Sequence, residues 1–262
     1  MRRPVVAGKF YRSDIEGLRS QLKSYFDTPV PGEESVKGAV VPHAGYVYSG
    51  QVAAHVYAVL PSAETYVLIG PNHHAIGSTI ALSKETWSTP LGNVEVDEEI
   101  VDDLSSSIDV DETAHQYEHS IEVQLPFLQH RFKDFKIVPI CMGLQAEETT
   151  KEVGINLANA LRDREDVIVL ASSDFTHYES DKAARENDNL VIEAILELDT
   201  SGFYSQIHER HMSVCGYGPI AVTMETTKAL GAEKGKLLKY ATSGDITGDR
   251  SSVVGYAGIV MV

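Results

Sequence analysis

Cysteine is scarce in this sequence, since Cys141 and Cys215 are the only two among 262 residues. Two cysteines are too few for a disulfide framework, although one bridge between them stays open at this point. We expect the protein to work in a reducing compartment, the cytoplasm. Long apolar runs are missing as well, because the longest are of strand length, so the sequence predicts neither a transmembrane helix nor a signal peptide.

Positive charge is also in short supply. Lys and Arg number 22 against 38 Asp and Glu, which gives a formal net charge of −16 with neutral histidines. A chain with this balance is repelled by polyanions such as nucleic acid or an anionic membrane surface. We therefore expect no nucleic acid and no membrane among its partners. The sequence leaves the oligomeric state open.

The sequence does contain short apolar runs that alternate with helical patterns. The runs 38–41, 66–69 and 167–171 are continuous, as expected of strands that are buried on both faces. The apolar fraction of 43% is sufficient for a large core, and no linker or repeat divides the chain. We predict one domain over residues 1–262, of the α/β class, with a central mixed, largely parallel sheet flanked by helices.

Two predicted helices depend on local signals. Ser13 and Glu16 have the spacing of a capping box, which predicts a helix that ends at residues 28–32. Apolar periodicity predicts a later helix over residues 189–198.

Histidines follow three of the predicted strands, at the point where each strand ends. His43 follows the first, His73 and His74 the second, and His177 the third. The rim of such a sheet is where open α/β folds bind ligands. Neutral imidazole is the commonest metal ligand in proteins, so the first two strand ends indicate a metal site. The alternative is that these histidines only bond backbone carbonyls.

A third ligand would complete such a site, and spacing alone does not choose it. Cys215 is one candidate, and the carboxylates of Glu118, Glu122 and Asp174 are others. Cys215 also precedes a predicted helix, whose N-terminus would lower a thiol pKa. Paired with His177 or His119, it would then be the nucleophile of a cysteine hydrolase. The alternative is that Cys215 is a buried thiol without a chemical role.

Asp174 and His177 lie three residues apart at the end of the third strand. Such a histidine could act as a general acid/base near neutral pH. Asp174 could orient it, or could support a metal-bound histidine from behind. The alternative is a turn in which Asp174 caps the following helix.

Five motifs occur in the order found in the Memo family (mediator of ErbB2-driven cell motility), which this sequence resembles. They are Pro42-His43-Ala44-Gly45-Tyr46, Gly70-Pro71-Asn72-His73-His74, Glu118-His119-Ser120-Ile121-Glu122, Ser172-Ser173-Asp174-Phe175-Thr176-His177 and Cys215-Gly216-Tyr217-Gly218-Pro219. Residues 7–11 are similar to that family's N-terminal signature, so the likeness covers almost the whole chain.

The resemblance implies a fold similar to the class III, LigB-type extradiol dioxygenases, which are non-haem iron enzymes that cleave catechol-like rings. It also implies that His43, His73 and Cys215 are metal ligands and that Asp174 and His177 are further site residues. The third ligand of the dioxygenases is a glutamate, whereas a thiolate favours copper or zinc and changes the redox behaviour of iron. Animal Memo is associated with a phosphotyrosine peptide, but this chain has no arginine cluster suited to phosphate.

We therefore expect a non-haem metal site of iron or copper, or of zinc, with redox or dioxygenase-like activity on an unknown substrate. His43, His73 and Cys215 would hold the metal, and His177, assisted by Asp174, would transfer protons. The residues expected to line the site or to support the ligands are His74, His119 and Glu118. Two alternatives remain: a metal-free cysteine hydrolase, and a module that binds a small molecule or peptide in the same site without turnover.

Overall fold

The computed structural model describes residues 1–26 and 36–262, which form strands and helices in alternation. The strands are β1 Gly38–Val41, β2 Thr65–Pro71, β3 Ile80–Leu82, β4 Trp87–Thr89, β5 Gly92–Val96, β6 Asp109–Val110, β7 Lys136–Met142, β8 Val167–Ser172, β9 His177–Glu179, β10 Gly235–Thr242 and β11 Val253–Met261. The helices are α1 Ile15–Tyr25, α2 Tyr46–Val59, α3 Glu98–Leu104, α4 Glu112–His115, α5 Leu125–Arg131, α6 Glu147–Leu161, α7 Asp181–Leu196, α8 Thr200–Glu209, α9 Tyr217–Ala229 and α10 Gly244–Thr247.

One mixed sheet contains these strands, and eight of them follow the order β10-β11-β1-β8-β2-β7-β3-β6. Outside this order, β5 pairs with β4 and β7, and β9 pairs with β11. Its centre, β1-β8-β2-β7, is parallel, and the outer strands β11 and β3 run antiparallel to their inner neighbours. The predicted α/β fold with a mixed, largely parallel sheet between helices is confirmed. The strands β1, β8 and β2 are adjacent, so their carboxyl ends meet at one edge.

Helices cover both faces of this sheet. On β1, Ala39 and Val41 pack into the core that contains residues of α1, α2 and α5. Val40 lies between them and packs into a separate core with residues of α7, α8 and α9. Because successive strand residues point to opposite faces, both faces must be apolar, which explains the continuous apolar runs of the central strands.

Two helix boundaries differ from the prediction. Asp14, and not Ser13, caps α1, because its Oδ1 accepts a hydrogen bond from Gly17 N at 2.6 Å. The predicted end of that helix at residues 28–32 lies outside the described residues. Helix α7 begins at Asp181, well before residue 189, with Ser180 as its cap. Its early turns carry few apolar residues, so apolar periodicity alone locates only its second half.

Within the described residues, no helix is both long enough and apolar enough to cross a bilayer. Cys141 and Cys215 are both free thiols. The single disulfide left open by the sequence is therefore not formed.

Candidate metal centre

The candidate site lies at the edge where β1, β8 and β2 end. His43 comes directly after β1 and Pro42, His73 comes just after β2, and Asp174 comes just after β8. Cys215 lies in the loop before α9, a helix that packs against β8 and β1. Three neighbouring strands and one helix start therefore bring these four residues together.

His43 is held in one tautomer by Ser172. Its Nδ1 lies 3.0 Å from Ser172 Oγ, and that hydroxyl already donates its only proton to Ser120 O at 2.6 Å. Ser172 Oγ must therefore accept from Nδ1–H of His43. This leaves Nε2 of His43 unprotonated, 3.2 Å from Cys215 Sγ. The ring is 98% buried, and burial, together with the neighbouring imidazoles of His73 and His119, lowers the pKa of His43.

His73 is held in the same tautomer by Glu118. Its Nδ1 lies 2.9 Å from Glu118 Oε1, and a carboxylate can only accept, so Nδ1 is the donor and Nε2 is the nitrogen without a proton in the neutral ring. The carboxylate of Glu118 is buried and also accepts from the backbone N–H groups of His73, His119 and Ser120. Burial acts to raise the pKa of Glu118, but the hydrogen bond from His73 and the nearby imidazoles hold it well below its usual range.

Cys215 is fixed by contacts on both sides of its loop. Its Sγ accepts from Asp174 N at 3.2 Å. The side chain of Gln145 donates to Cys215 O at 3.0 Å and accepts from Gly218 N at 2.6 Å. Gly216 allows the loop to approach β8, because a Cβ there would lie 2.6 Å from Ser172 O. Burial, then the nearby Asp174 carboxylate, raises the pKa of the Cys215 thiol.

The ligand atoms of His43, His73 and Cys215 all lie within 4.8 Å of one another. Two imidazole nitrogens and one sulfur are a donor set that suits zinc, copper or iron. The atoms of His73, Glu118 and His119 meet the same distance limit. The Glu118 oxygens, however, already accept four N–H groups, so the first group fits a metal ion better.

Asp174 holds the backbone of the His43 loop. Its carboxylate is buried and accepts from His43 N at 2.9 Å. Burial raises the pKa of Asp174 to about 6, and the hydrogen bond from His43 N opposes that rise. The cap of the following helix is Ser180, so the capping alternative for Asp174 is wrong.

His177 is oriented by the loop that also carries Cys215. Its Nδ1 lies 2.8 Å from Ser213 O, and a backbone carbonyl only accepts, so Nδ1 is the donor and Nε2 is the proton acceptor of the neutral ring. The backbone N of His177 donates to Ser213 Oγ at 2.8 Å. Ser213, therefore, gives the orientation for which the sequence suggested Asp174.

His119 adds a third imidazole beside the two histidine ligand candidates. Its ring stacks on His73 with 4.6 Å between centroids and lies 5.4 Å from the His43 ring. Burial lowers the pKa of His119 to about 4, so this ring is neutral at pH 7. His74, by contrast, is exposed, and its ring contacts Tyr117 at 6.4 Å.

Two residues that hold the site together, Gln124 and Gln145, were not expected from the sequence. Gln124 donates to Ser172 Oγ at 2.8 Å and to Pro42 O at 3.0 Å, but it lies within an apolar helical stretch. Gln145 follows β7 at the edge where His73 follows β2, so the strand-end argument could have found it.

Glu122, one of the open ligand candidates, is instead bonded to Arg2 and to the backbone of Val5 and Val6.

Comparison with known proteins gives the family. Residues 2–260 match the family model described as Memo-like protein. The chain belongs to the Memo-like family. Similar relatives include a MEMO1 family protein of Methanosarcina mazei, 55% identical over 264 residues, which span 100% of this chain and 99% of that protein. Another, from Archaeoglobus fulgidus, is 52% identical over 262 residues, 99% of each chain.

The same fold occurs in a solved structure of low sequence identity. The crystal structure of an uncharacterized protein from Escherichia coli K12 matches with a TM-score of 0.53 and 15% identity. The match covers 86% of this chain and 99% of the other. This likeness concerns the fold alone, whereas the Memo-like membership predicted from the five motifs is confirmed by the family model.

Proposed function

We propose that this Memo-like protein is a metal-dependent oxidoreductase in which His43, His73 and Cys215 hold iron or copper, with zinc as the third option. The observation that supports it is the pair of fixed tautomers. Each histidine commits Nδ1–H to a built-in acceptor, Ser172 or Glu118. His43 Nε2 lies 3.2 Å from the thiol, and the ligand atoms of His43, His73 and Cys215 are all within 4.8 Å of one another. Metal-bound histidines are held in this way, because the outer hydrogen bond fixes the ring and raises its basicity.

When bound, iron or copper supplies Lewis-acid and one-electron redox chemistry. The chain supplies the rest. His177 presents a free Nε2 that can take a proton from a substrate, with Ser213 O fixing its ring. His73 keeps 29% of its side chain exposed, so a small molecule or a peptide side chain can reach the site. A reducing location such as the cytoplasm belongs to the proposal, because Cys215 must remain a free thiol.

The contact between Cys215 and His43 also bears on the alternative function, a cysteine hydrolase. The 3.2 Å contact between Cys215 Sγ and His43 Nε2 is a thiol–imidazole pair. Catalytic pairs of this kind contain a thiolate of lowered pKa beside an imidazolium. Here burial raises the pKa of Cys215 and lowers the pKa of His43. Both shifts favour the neutral thiol and the neutral imidazole, whereas a catalytic pair needs the charged forms. The metal site is therefore the better reading of this contact.

The test is metal content by mass spectrometry on protein purified without an affinity tag and without chelator. We expect near-stoichiometric iron or copper in the wild type and its loss in His43→Ala, His73→Ala and Cys215→Ser, because each removes one of three ligands. His74→Ala is the matched control, since it deletes an exposed imidazole next to His73. It should keep the metal.

A wild type that is metal-free and that also refuses iron(II), copper and zinc on reconstitution would refute the proposal. Activity that survives chelation but ends on alkylation of Cys215 would then favour the hydrolase. Tight ligand binding without turnover, in the metal-free protein, would favour the binding module.

A further inference from the structure

The N-terminal residues 2–11 form a strap over the loop that carries Glu118. Arg2 anchors this strap, and only 5% of the surface of Arg2 is exposed. Its guanidinium donates through Nε to His115 O at 2.9 Å, through Nη1 to Glu122 Oε2 at 3.0 Å, and through Nη2 to Glu118 O. The guanidinium also lies over the Trp87 ring, 4.0 Å from its centroid. Three acceptors and one aromatic face thus define its position.

Glu122 is the counter-charge of this anchor. Its carboxylate is fully buried, and besides Arg2 it accepts from Val5 N at 2.8 Å, Val6 N at 3.0 Å and Tyr11 OH at 2.8 Å. Both ends of the strap are therefore attached to one carboxylate. A buried charge with this many partners is well compensated, and removal of one partner is costly.

The strap reaches the metal centre at two points. Arg2 holds the backbone carbonyl of Glu118, whose carboxylate in turn accepts Nδ1–H of His73. At the other end, the Phe10 ring meets His119 edge-on at 4.9 Å. Phe10 O accepts from Tyr46 N at 2.8 Å, at the start of α2 and close to the His43 loop.

We propose that Arg2 is a positioning residue of the metal centre. By holding the Glu118 backbone, its guanidinium sets where the Glu118 carboxylate receives Nδ1–H of His73, and so keeps the His73 ring within reach of His43 and Cys215. This inference rests on the proposed metal site, but the His73 tautomer that it explains exists without a metal. A lysine at position 2 would keep the charge but could not reach three acceptors in one plane.

The test compares Arg2→Lys and Arg2→Ala with Arg3→Ala, which deletes the same charge from an exposed neighbour. Cobalt(II) is the probe, with its dissociation constant read from the visible spectrum. Nitrogen-15 NMR of the imidazoles in metal-free protein reports the His73 tautomer, and thermal unfolding reports stability.

We expect Arg3→Ala to match the wild type in all three measurements. Arg2→Lys should weaken cobalt(II) binding by about 10- to 100-fold, as is usual for residues that support a metal ligand from behind. Its His73 should lose the single Nδ1–H tautomer, even though the retained charge opposite Glu122 preserves most of the stability. A merely structural Arg2 would instead be rescued by lysine in affinity and stability together.

Unchanged His73 signals and unchanged cobalt(II) affinity in Arg2→Lys would overturn the inference. If the wild type binds no cobalt(II) but Arg2→Lys still alters the His73 tautomer, the proposed metal function fails while the positioning role stands. Glu122→Gln is the second variant, because it removes the charge that holds Arg2 and keeps the side-chain shape. If every folded variant of this set keeps the wild-type His73 signals, Arg2 does not position His73.

Discussion

Ser172 shows how one small side chain orients a metal-ligand candidate. Its hydroxyl donates to Ser120 O and accepts from His43 Nδ1 and Gln124 Nε2, so its hydrogen-bonding capacity is full. We expect Ser172→Ala to leave two buried donors unpaired and to lower the free energy of unfolding by about 1–3 kcal/mol. It should also weaken metal binding by about 10- to 100-fold, since His43 loses its outer hydrogen bond.

Thr223→Val is the matched control for this change. Thr223 is also buried, but its hydroxyl has no hydrogen-bond partner among the described residues. Because valine has the same shape, the free energy of unfolding should change by less than about 1 kcal/mol, and metal affinity should not change. Denaturant titration of both variants measures the free energy of unfolding, and metal titration measures the affinity. Equal effects in the two variants would contradict the role given to Ser172.

At the scale of secondary-structure elements, Gly216 lets the start of α9 approach β8. A Cβ at this position would lie 2.6 Å from Ser172 O and 2.7 Å from Ser173 Cβ, so the helix start would have to move away. We expect Gly216→Ala to cost about 1–3 kcal/mol, the usual range for overpacking. It should also impair metal binding, because Cys215 moves with the loop.

Gly143→Ala provides the comparison for Gly216→Ala. Gly143 follows β7 at the same edge of the sheet, and a Cβ there would come no closer than 3.4 Å to Thr79 O. This is an ordinary contact, so stability and metal affinity should be retained. Thermal unfolding and cobalt(II) titration test the pair. A Gly216→Ala protein that binds metal as tightly as Gly143→Ala would contradict the prediction that Gly216 is needed to position Cys215.

At the scale of the whole molecule, buried neutral histidines make the metal-free protein sensitive to acid. Burial lowers the pKa of His115 and of His119 to about 4 and lowers that of His43 as well. The unfolded chain therefore takes up protons as the pH falls below about 6.5, while the folded chain does not, and stability is lost from there toward pH 4. Asp174, whose raised pKa is about 6, binds a proton in the folded state and opposes this loss.

Burial also lowers the pKa of His130 and raises the pKa of Asp188. Because the histidines with a lowered pKa outnumber the carboxyls with a raised one, we expect a net loss of stability between pH 6.5 and 4.5 in the presence of chelator. Urea unfolding at several pH values measures it. In His115→Gln the pH dependence should be weaker by up to about 1.4 kcal/mol per pH unit, because the amide can still donate to Ala81 O but cannot titrate. Stability that is constant over this interval would contradict the prediction.

The fold could be predicted largely because its signals are local. Buried parallel strands need apolar residues on both faces, so 38–41, 66–69 and 167–171 appear as continuous runs in the sequence. The start of α7 could not be predicted, because its first turns carry polar residues and its cap is a single serine, Ser180. The cap of α1 was misplaced by one residue, since Ser13 and Asp14 are both suitable caps.

The sequence by itself determined which side chains stand at the strand ends: His43 after β1, His73 after β2 and Asp174 after β8. That much follows from strand length and turn residues. Only the tertiary structure decided what holds them, because each partner comes from a distant segment. Ser172 and His43 are 129 residues apart and Arg2 and Glu122 are 120 apart, yet each pair is within hydrogen-bond distance. Such partners depend on how the strands and loops pack, which no local pattern in the chain encodes.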